Sequence, residues 1–372
     1  MVLPYREHTG VKHDILAKYL GPWARILGKA HPCLCYFDGF AGPGRYNGKE
    51  GSPLIAIREA QQAPQHVRRV VCVNVEKDKS HYENLVGETA SRRSADVEVV
   101  EALPSGVALE VRARARLLAE GARVCVINVR GSFAEAAAFL LASPDPWPPT
   151  FFFVDPLGPS GVPFDIVRTL LSLPHTEMML TLMTQSALRC LGRAKDHPML
   201  VTLFGTDECL RLADEFQLRD LYERQLKQTA AAKWVMPFRV MEERRRETLY
   251  YLMHASNYFL AFKIMKNIMW GEGAPGRFAF LGPGDRAIRK QLVLFPDEWL
   301  PEFNRWLLAR FPPQRVTFGQ LMEKSYDEHY MIEKHYRQAL LALEREKKIT
   351  VRRCGEKRRK GLRDDDLITF PG

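Results

Sequence analysis

No stretch of this 372-residue chain approaches eighteen uninterrupted apolar residues, so hydropathy offers no candidate for a membrane-spanning helix. The opening segment MVLPYREHTG lacks the basic-then-apolar layout of a secretory signal. Together these absences predict a soluble, cytoplasmic protein without a membrane partner. A CxxC pair is also missing. The seven cysteines, at 33, 35, 72, 125, 190, 209 and 354, are an odd number. Most stand inside apolar runs, where a reduced thiol packs as a small hydrophobe. Neither a disulfide framework nor a zinc site or other metal centre is expected. Strong charge is lacking over most of the chain as well: of the net +10, a share of +8 falls between Arg345 and Arg363, where ten Lys or Arg face Glu346 and Glu356. A charge run is commonly a solvated surface, but one concentrated at a domain edge is also the footprint of a polyanion partner.

What is present reads as a globular protein with room for two domains. Hydrophobic residues make up 46% of the chain and aromatic residues 10%, which excludes a disordered polypeptide. The segments CLCYFD (33 to 38), VRRVVCVNVE (67 to 76), RVCVINV (123 to 129), TFFFVDP (150 to 156) and TEMMLTLM (176 to 183) are short and rich in β-branched or aromatic residues. They predict buried strands. Between them SPLIAIREAQQA, GVALEVRARARLLAE, FAEAAAFLLA and FDIVRTLLSL carry apolar residues at helical spacing. Alternation of strand and helix predicts right-handed βαβ units and a doubly wound, Rossmann-like parallel sheet. Residues 235 to 256 predict a strand pair joined by a charged turn, closing the sheet with a hairpin. The stretch 186 to 232 predicts a helical insertion over the ligand edge.

Residues 35 to 46, CYFDGFAGPGRY, lie at the first strand-to-helix turn, where a doubly wound fold brings backbone close to a ligand. The form D-x-F-x-G-x-G sets an acid at the strand end, unlike the dinucleotide fingerprint G-x-G-x-x-G. It is similar to the first motif of S-adenosylmethionine-dependent methyltransferases. That likeness implies that Asp38, Gly39, Phe40, Gly42 and Gly44 hold the methionine portion of the cofactor; the bland alternative is a tight turn with no ligand. Ser52-Pro53 predicts an N-cap and first-turn proline for the next helix. Glu76 ends the second strand, where an acid can accept two hydrogen bonds from ribose hydroxyls. Its separation from Gly44 exceeds the usual spacing of about 20 residues, and the insertion RYNGKEG explains part of the excess.

Asp155 and Pro156 end the fourth strand in FFFVDPLGPSGVPF. This resembles the strand end of amino-methylating enzymes that act on nucleobases, in which an acid or amide, two prolines and an aromatic follow one another. Here the tetrad is Asp-Pro-Leu-Gly, without the second proline and the stacking ring that a flipped base requires. Asp155 can orient or deprotonate an acceptor, or simply cap the following loop.

VKHDILAKYLGPWARIL (11 to 27), YFDGFAGPGRYNGKEGSPLIAI (36 to 57), FFFVDPLGPSGVPFDIVRTLL (151 to 171) and YYLMHASNYFLAFKIMKNIMW (250 to 270) together resemble the three-Cys-motif partner proteins, a bacterial family named for a neighbouring gene product with a three-cysteine motif. The resemblance implies a methyltransferase-like fold with a C-terminal winged helix and a poorly defined activity; along this chain the first domain is expected over residues 1 to 270, a linker at 271 to 295 and the winged-helix domain at 296 to 372. One departure stands out: the family tends to carry an asparagine in the strand after the DP motif, where this chain has Thr181-Leu182-Met183-Thr184.

The C-terminal module is also legible from its own residues. EWLPEFNRWLLARF, VTFGQLMEKSY and MIEKHYRQALLALEREKK predict three helices, and ITVRR and DLITF predict two strands around CGEKRRKGLRDD. In a winged helix the second helix of the motif enters a major groove and the wing meets phosphates. Lys334, His335 and Arg337 are then candidates to face bases, while Arg353, Lys357, Arg358, Arg359 and Lys360 meet phosphates; a purely protein-binding role is the alternative. The reading that results is an S-adenosylmethionine-dependent methyltransferase acting on DNA or RNA. Asp155 and Pro156 would serve the acceptor, and Lys12 and His13 would close over the cofactor. The competing reading is a non-catalytic subunit that recruits a three-cysteine-motif protein to nucleic acid.

Overall fold

The computed structural model describes residues 7–102, 121–141, 147–229, 232–242, 247–273, 279–280, 299–355 and 361–371. The chain divides into two compact units, residues 1–272 with 279–283, and residues 273–278 with 284–372.

The larger unit is built on a nine-stranded, mostly parallel sheet. Its strands in chain order are β1 (Cys33–Asp38), β4 (Arg69–Glu76), β5 (Val97–Ala102), β6 (Val124–Arg130), β7 (Thr150–Val154), β8 (Thr176–Leu182), β9 (Trp234–Met241), β10 (Thr248–Ser256) and β11 (Ala279–Phe280), with a small separate hairpin, β2 (Arg45–Tyr46) and β3 (Lys49–Glu50). Across the sheet the order is β11-β9-β10-β8-β7-β1-β4-β6-β5. Strand β10 runs antiparallel to both β8 and β9, so the sheet ends in the expected hairpin. Strand β1 pairs in parallel with β4 on one side and β7 on the other. The chain first builds outward from β1 on one side and later returns to its other side, which sets a topological switch point at the carboxyl ends of β1 and β7, where this class of sheet gathers ligands.

Both faces are covered. Every residue of β7 is buried, and alternate side chains point to opposite faces of a strand. Phe151 packs on Tyr19 and Trp23 of helix α1 (Glu7–Leu27), with ring centroids 5.2 and 6.2 Å apart. Phe152, on the other face, joins a cluster with Phe37, Phe133 and Phe164. The crossover helices are α2 (Ser52–Gln61), α3 (Lys79–Ala90), α4 (Phe133–Leu141) and α5 (Phe164–Leu171). The stretch after β8 is helical, with α6 (Thr184–Leu191), α7 (His197–Phe204) and α8 (Glu215–Gln228), and α9 (Phe259–Glu272) follows β10. No helix among the described residues is long and apolar enough to cross a membrane.

Three local features differ from expectation. Strand β5, VEVVEA, belongs to the sheet and lies outside β6, so the chain passes over one position before coming back. Its glutamates mask the apolar run; Glu98 pairs with Arg69 of β4. The insertion after the first loop folds into the β2–β3 hairpin around Asn47-Gly48, both with positive φ (47° and 81°), as a tight primed turn demands. The N-cap of α2 is Gly51 rather than Ser52, which opens the helix itself with Pro53 behind it. The expected helix over GVALEVRARARLLAE lies outside the described residues.

The smaller unit contains helices α10 (Leu300–Arg310), α11 (Phe318–Ser325) and α12 (Glu333–Arg345) and strands β12 (Gln314–Thr317), β13 (Thr350–Arg352) and β14 (Leu367–Phe370). The strands form an antiparallel sheet in the order β12-β14-β13. Strand β12 was not foreseen; at four residues beside Pro312-Pro313 it carries little signal. Phe303, Leu307, Phe318, Leu321, Tyr336, Leu340 and Ile368 are buried at its centre. Helix α11 starts with a full capping box: the Thr317 side chain accepts from the Gln320 N–H at 3.2 Å, and the Gln320 side chain accepts from the Thr317 N–H at 3.1 Å. Thr317→Ala should therefore destabilise this unit by about 1 kcal/mol, read as an earlier transition in denaturant unfolding of the full chain.

Candidate functional site

The carboxyl ends of β1, β4 and β7 bring together the residues that the first loop, Glu76 and the DP motif suggested. Asp38 closes β1 with no solvent exposure. Its carboxylate accepts from the Tyr36 hydroxyl at 3.0 Å and the Phe40 N–H at 3.2 Å, and it also bonds the Ser52 side chain. Asp38 therefore sits beneath the loop as its organiser instead of lining a ligand surface. Burial raises its pKa to about 7, against the lowering effect of those three donors. Ser52, displaced from the capping position, finds its partner here.

Backbone bonds stitch the loop onto the neighbouring strands: the Gly39 N–H reaches Phe153 O and the Ala41 N–H reaches Val75 O, both at 2.9 Å. Gly42 and Gly44 have φ of +65° and +82°, a region that L-residues with a Cβ resist. A Cβ on Gly42 would also run into the Tyr46 hydroxyl, and one on Gly39 would meet the Phe133 ring at 2.6 Å. Phe40 stacks on Phe133, centroids 5.9 Å apart at 30°.

Glu76, at the end of β4, turns back to the loop. Its carboxylate accepts from the Gly42 N–H at 2.8 Å and from the Asp78 N–H at 2.7 Å. A carboxylate has about four acceptor positions, so two remain for a ligand diol. Tyr46 from the hairpin lies among three acids. Its pKa is raised, first by burial and then by the nearby charges of Asp155, Asp38 and Glu76.

Asp155 stands just beyond β7, and both of its oxygens are engaged. Lys12 of α1 forms an ion pair with Oδ2, and the Thr181 hydroxyl of β8 donates to Oδ1 at 2.6 Å. Lys12 also lies over the Tyr250 ring, 5.1 Å from its centroid. Pro156 is buried behind it. Next to Lys12, His13 is buried, and its pKa falls to about 4, chiefly from burial and then from the Lys12 charge. Tyr46 and Tyr250 were not singled out from the sequence; the only signal for Tyr46 was the Asn-Gly turn beside it. Thr181 was noted as a departure from the family pattern, and its contact with Asp155 gives that position a physical meaning.

In the smaller unit the basic residues divide. Lys334 is exposed on α12. Arg337 is turned inward: it pairs with Glu333, donates to Leu362 O and lies over the Phe318 ring at 4.5 Å. His335 is buried, its Nδ1 accepting from the Ile332 N–H at 3.1 Å and its ring 4.8 Å from Trp299. Arg353 forms a two-pronged pair with Glu344 at 2.7 and 2.6 Å. Lys357, Arg358, Arg359 and Lys360 lie outside the described residues. Arg345, Lys347, Lys348 and Arg352 are also exposed, and Lys348 pairs with Glu346 at 2.8 Å.

Residues 285–355 match the family model of a GMT-like wHTH domain, a winged helix-turn-helix. The protein is thus a mixed α/β chain with a C-terminal winged helix, a class of module that suggests nucleic-acid binding. Among solved structures the chain is similar to protein LPL1258 from Legionella pneumophila, described as a member of family DUF519, at 10% identity and a TM-score of 0.41 over 71% of this chain and 90% of that one. A likeness this slight bears on neither fold nor function. No curated protein matches the chain.

The two titrating groups at the site pull stability in opposite directions. Asp38 ionises at about 7 when folded against an ordinary 3.8, so the folded chain holds more protons across that window and stability falls as pH rises through it. His13 titrates at about 4 against an ordinary 6.5; the unfolded chain holds more protons there, and stability rises with pH. Each slope is at most about 1.4 kcal/mol per pH unit. The stability difference between wild type and Asp38→Asn should decline from pH 4 to 7, and that between wild type and His13→Gln should grow from pH 4 to 6.5, both measured by urea unfolding.

Proposed function

We propose that the chain binds S-adenosylmethionine at the loop of residues 38 to 44 and transfers its methyl group to a nucleic acid held by the winged helix. The observation that carries this reading is the meeting of three strand ends at the switch point. A glycine loop is held in a conformation that favours glycine, Glu76 keeps acceptor capacity free beside it, and Asp155 stands on the adjacent strand. In this assignment Gly42 and Gly44 let the cofactor approach the backbone, Glu76 takes the ribose hydroxyls and Asp155 faces the acceptor. The cofactor itself would supply an electrophilic methyl group. The resemblance to three-Cys-motif partner proteins implies the methyltransferase-like fold that this reading needs and points to a cytoplasmic bacterial protein.

Calorimetry with S-adenosylmethionine is the direct test. Wild type should bind, Gly42→Val should not, and Glu76→Ala should weaken binding by about 1 to 3 kcal/mol, the cost of lost hydrogen bonds to a polar ligand. Asp155→Ala should abolish transfer and leave cofactor affinity nearly unchanged. No binding at millimolar cofactor would overturn the reading.

A second reading is favoured by the state of Asp155, which is already paired with Lys12 and is followed by Leu157-Gly158 where base-methylating enzymes carry proline and a ring. In it the chain is a non-catalytic subunit that brings a three-cysteine-motif protein to nucleic acid. Either way, binding of labelled DNA or RNA should weaken with salt at about 0.9 log units per neutralised phosphate on duplex DNA. Changing Lys357, Arg358, Arg359 and Lys360 to Ala should flatten that slope for all sequences without altering cofactor affinity. An unchanged slope, read by fluorescence polarisation, would assign the basic run to solvent and the winged helix to a protein partner.

A further inference from the structure

Resting on the S-adenosylmethionine reading, we infer that the methyl acceptor is a hydroxyl oxygen, the ribose 2′-hydroxyl of RNA, and that Lys12 is a catalytic residue working with Asp155. An exocyclic base amine presents N–H donors and needs a free acceptor together with a flat face to hold the extruded base. Among the described residues the surroundings of Asp155 lack that face. Oδ2 holds the Lys12 ammonium and Oδ1 the Thr181 hydroxyl, so the positive charge that grows on an amine nitrogen as it takes the methyl group would stand beside a cation. The segment 155 to 163, DPLGPSGVP, contains no aromatic residue, and Leu157 stands 84% exposed within it. The nearby rings are in use: Phe40 stacks on Phe133 and has Gly161 against its edge, Tyr46 packs against Gly42 and Gly51, and Tyr250 lies under Lys12.

A hydroxyl has different needs: an acceptor for its proton and a positive charge where alkoxide character develops. Lys12 and Asp155 supply both at one contact. Their side chains are 9% and 16% exposed, open enough for one reacting atom and dry enough for the charge to act at short range. In the transfer step the hydroxyl oxygen forms a bond to the methyl carbon while the carbon–sulfur bond breaks, its electron pair staying on sulfur to give a neutral thioether. The hydroxyl proton goes to the Asp155 carboxylate and then to water. Lys12 keeps its proton throughout and stabilises the charge growing on oxygen. The positive charge of the sulfonium thus leaves as the released proton. The 2′-hydroxyl is the group that separates RNA from DNA, and among the nucleic acids a winged helix can carry, RNA alone offers it along the chain.

The full chain would be incubated with methyl-labelled S-adenosylmethionine and either a random-sequence RNA pool or a DNA pool of the same design. Products would be digested to nucleosides and the RNA linkages tested for resistance to alkali. Label should enter RNA alone, on the 2′ oxygen, at alkali-resistant linkages. Lys12→Ala should slow transfer by about 100-fold or more and Lys12→Arg should restore part of it, while calorimetry shows wild-type cofactor affinity for both. Label on a base, label in DNA, transfer by Lys12→Ala at the wild-type rate, or cofactor binding without transfer to RNA would each overturn the inference and leave the cofactor reading standing. Absence of cofactor binding by wild type would overturn the cofactor reading and this inference with it.

Discussion

The geometry of the site depends on one buried carboxyl group. Asp38 has no access to water and is held by a tyrosine hydroxyl, a backbone N–H and a serine at the start of the next helix. Those contacts tie β1, the glycine loop and α2 to a single point. Because an acid buried this deeply is costly in its charged form, the surroundings must supply every donor, and that requirement fixes where Ser52 and Phe40 stand. Gly42 and Gly44 can then hold their left-handed conformations, and Glu76 can reach the Gly42 N–H from the neighbouring strand. The loop is thus set before any ligand arrives, which lowers the ordering cost of binding.

A second constraint acts at Asp155. Its partners come from three distant parts of the chain: Lys12 from the first helix, Thr181 from β8, and Tyr250 from β10 through its stacking with Lys12. Removing Lys12 leaves the Asp155 carboxylate partly buried without its counter-charge, a situation that costs more than the pair contributes when intact. The winged helix uses its own charges differently. Arg337 of α12 lies over Phe318 and pairs with Glu333 of its own helix, and Arg353 pairs with Glu344 of α12, so the residues left to meet a partner are the exposed lysines and arginines around them.

Much of the fold was legible because buried strands of a parallel sheet are written as nearly continuous apolar runs. CLCYFD, VVCVNVE and TFFFV all appear where those runs stand. Strand β5 escaped because it carries glutamates that break the apolar run, and β12 because four residues beside a proline pair hold too little pattern. At the site, Asp38, Glu76 and Asp155 could be found because each follows a strand and precedes a turn. Lys12, Thr181 and Tyr250 meet only through long-range pairing that spacing does not encode. The inward turn of Arg337 and His335 was hidden for a related reason: charge identifies residues able to meet a phosphate, but their direction is set by partners such as Glu333 and Trp299.

The place of β5 outside β6 has a consequence for synthesis on the ribosome. Residues 97–102 leave the exit tunnel before residues 124–130, their one sheet neighbour among the described strands. A nascent chain therefore carries an edge strand with no partner while the next segment is translated, a state in which unpaired backbone invites association with other chains. Glu98 and Glu101 in VEVVEA place negative charge on that strand while it waits. Substituting both with apolar residues would strengthen the apolar pattern on paper and expose the newborn chain to aggregation at the ribosome.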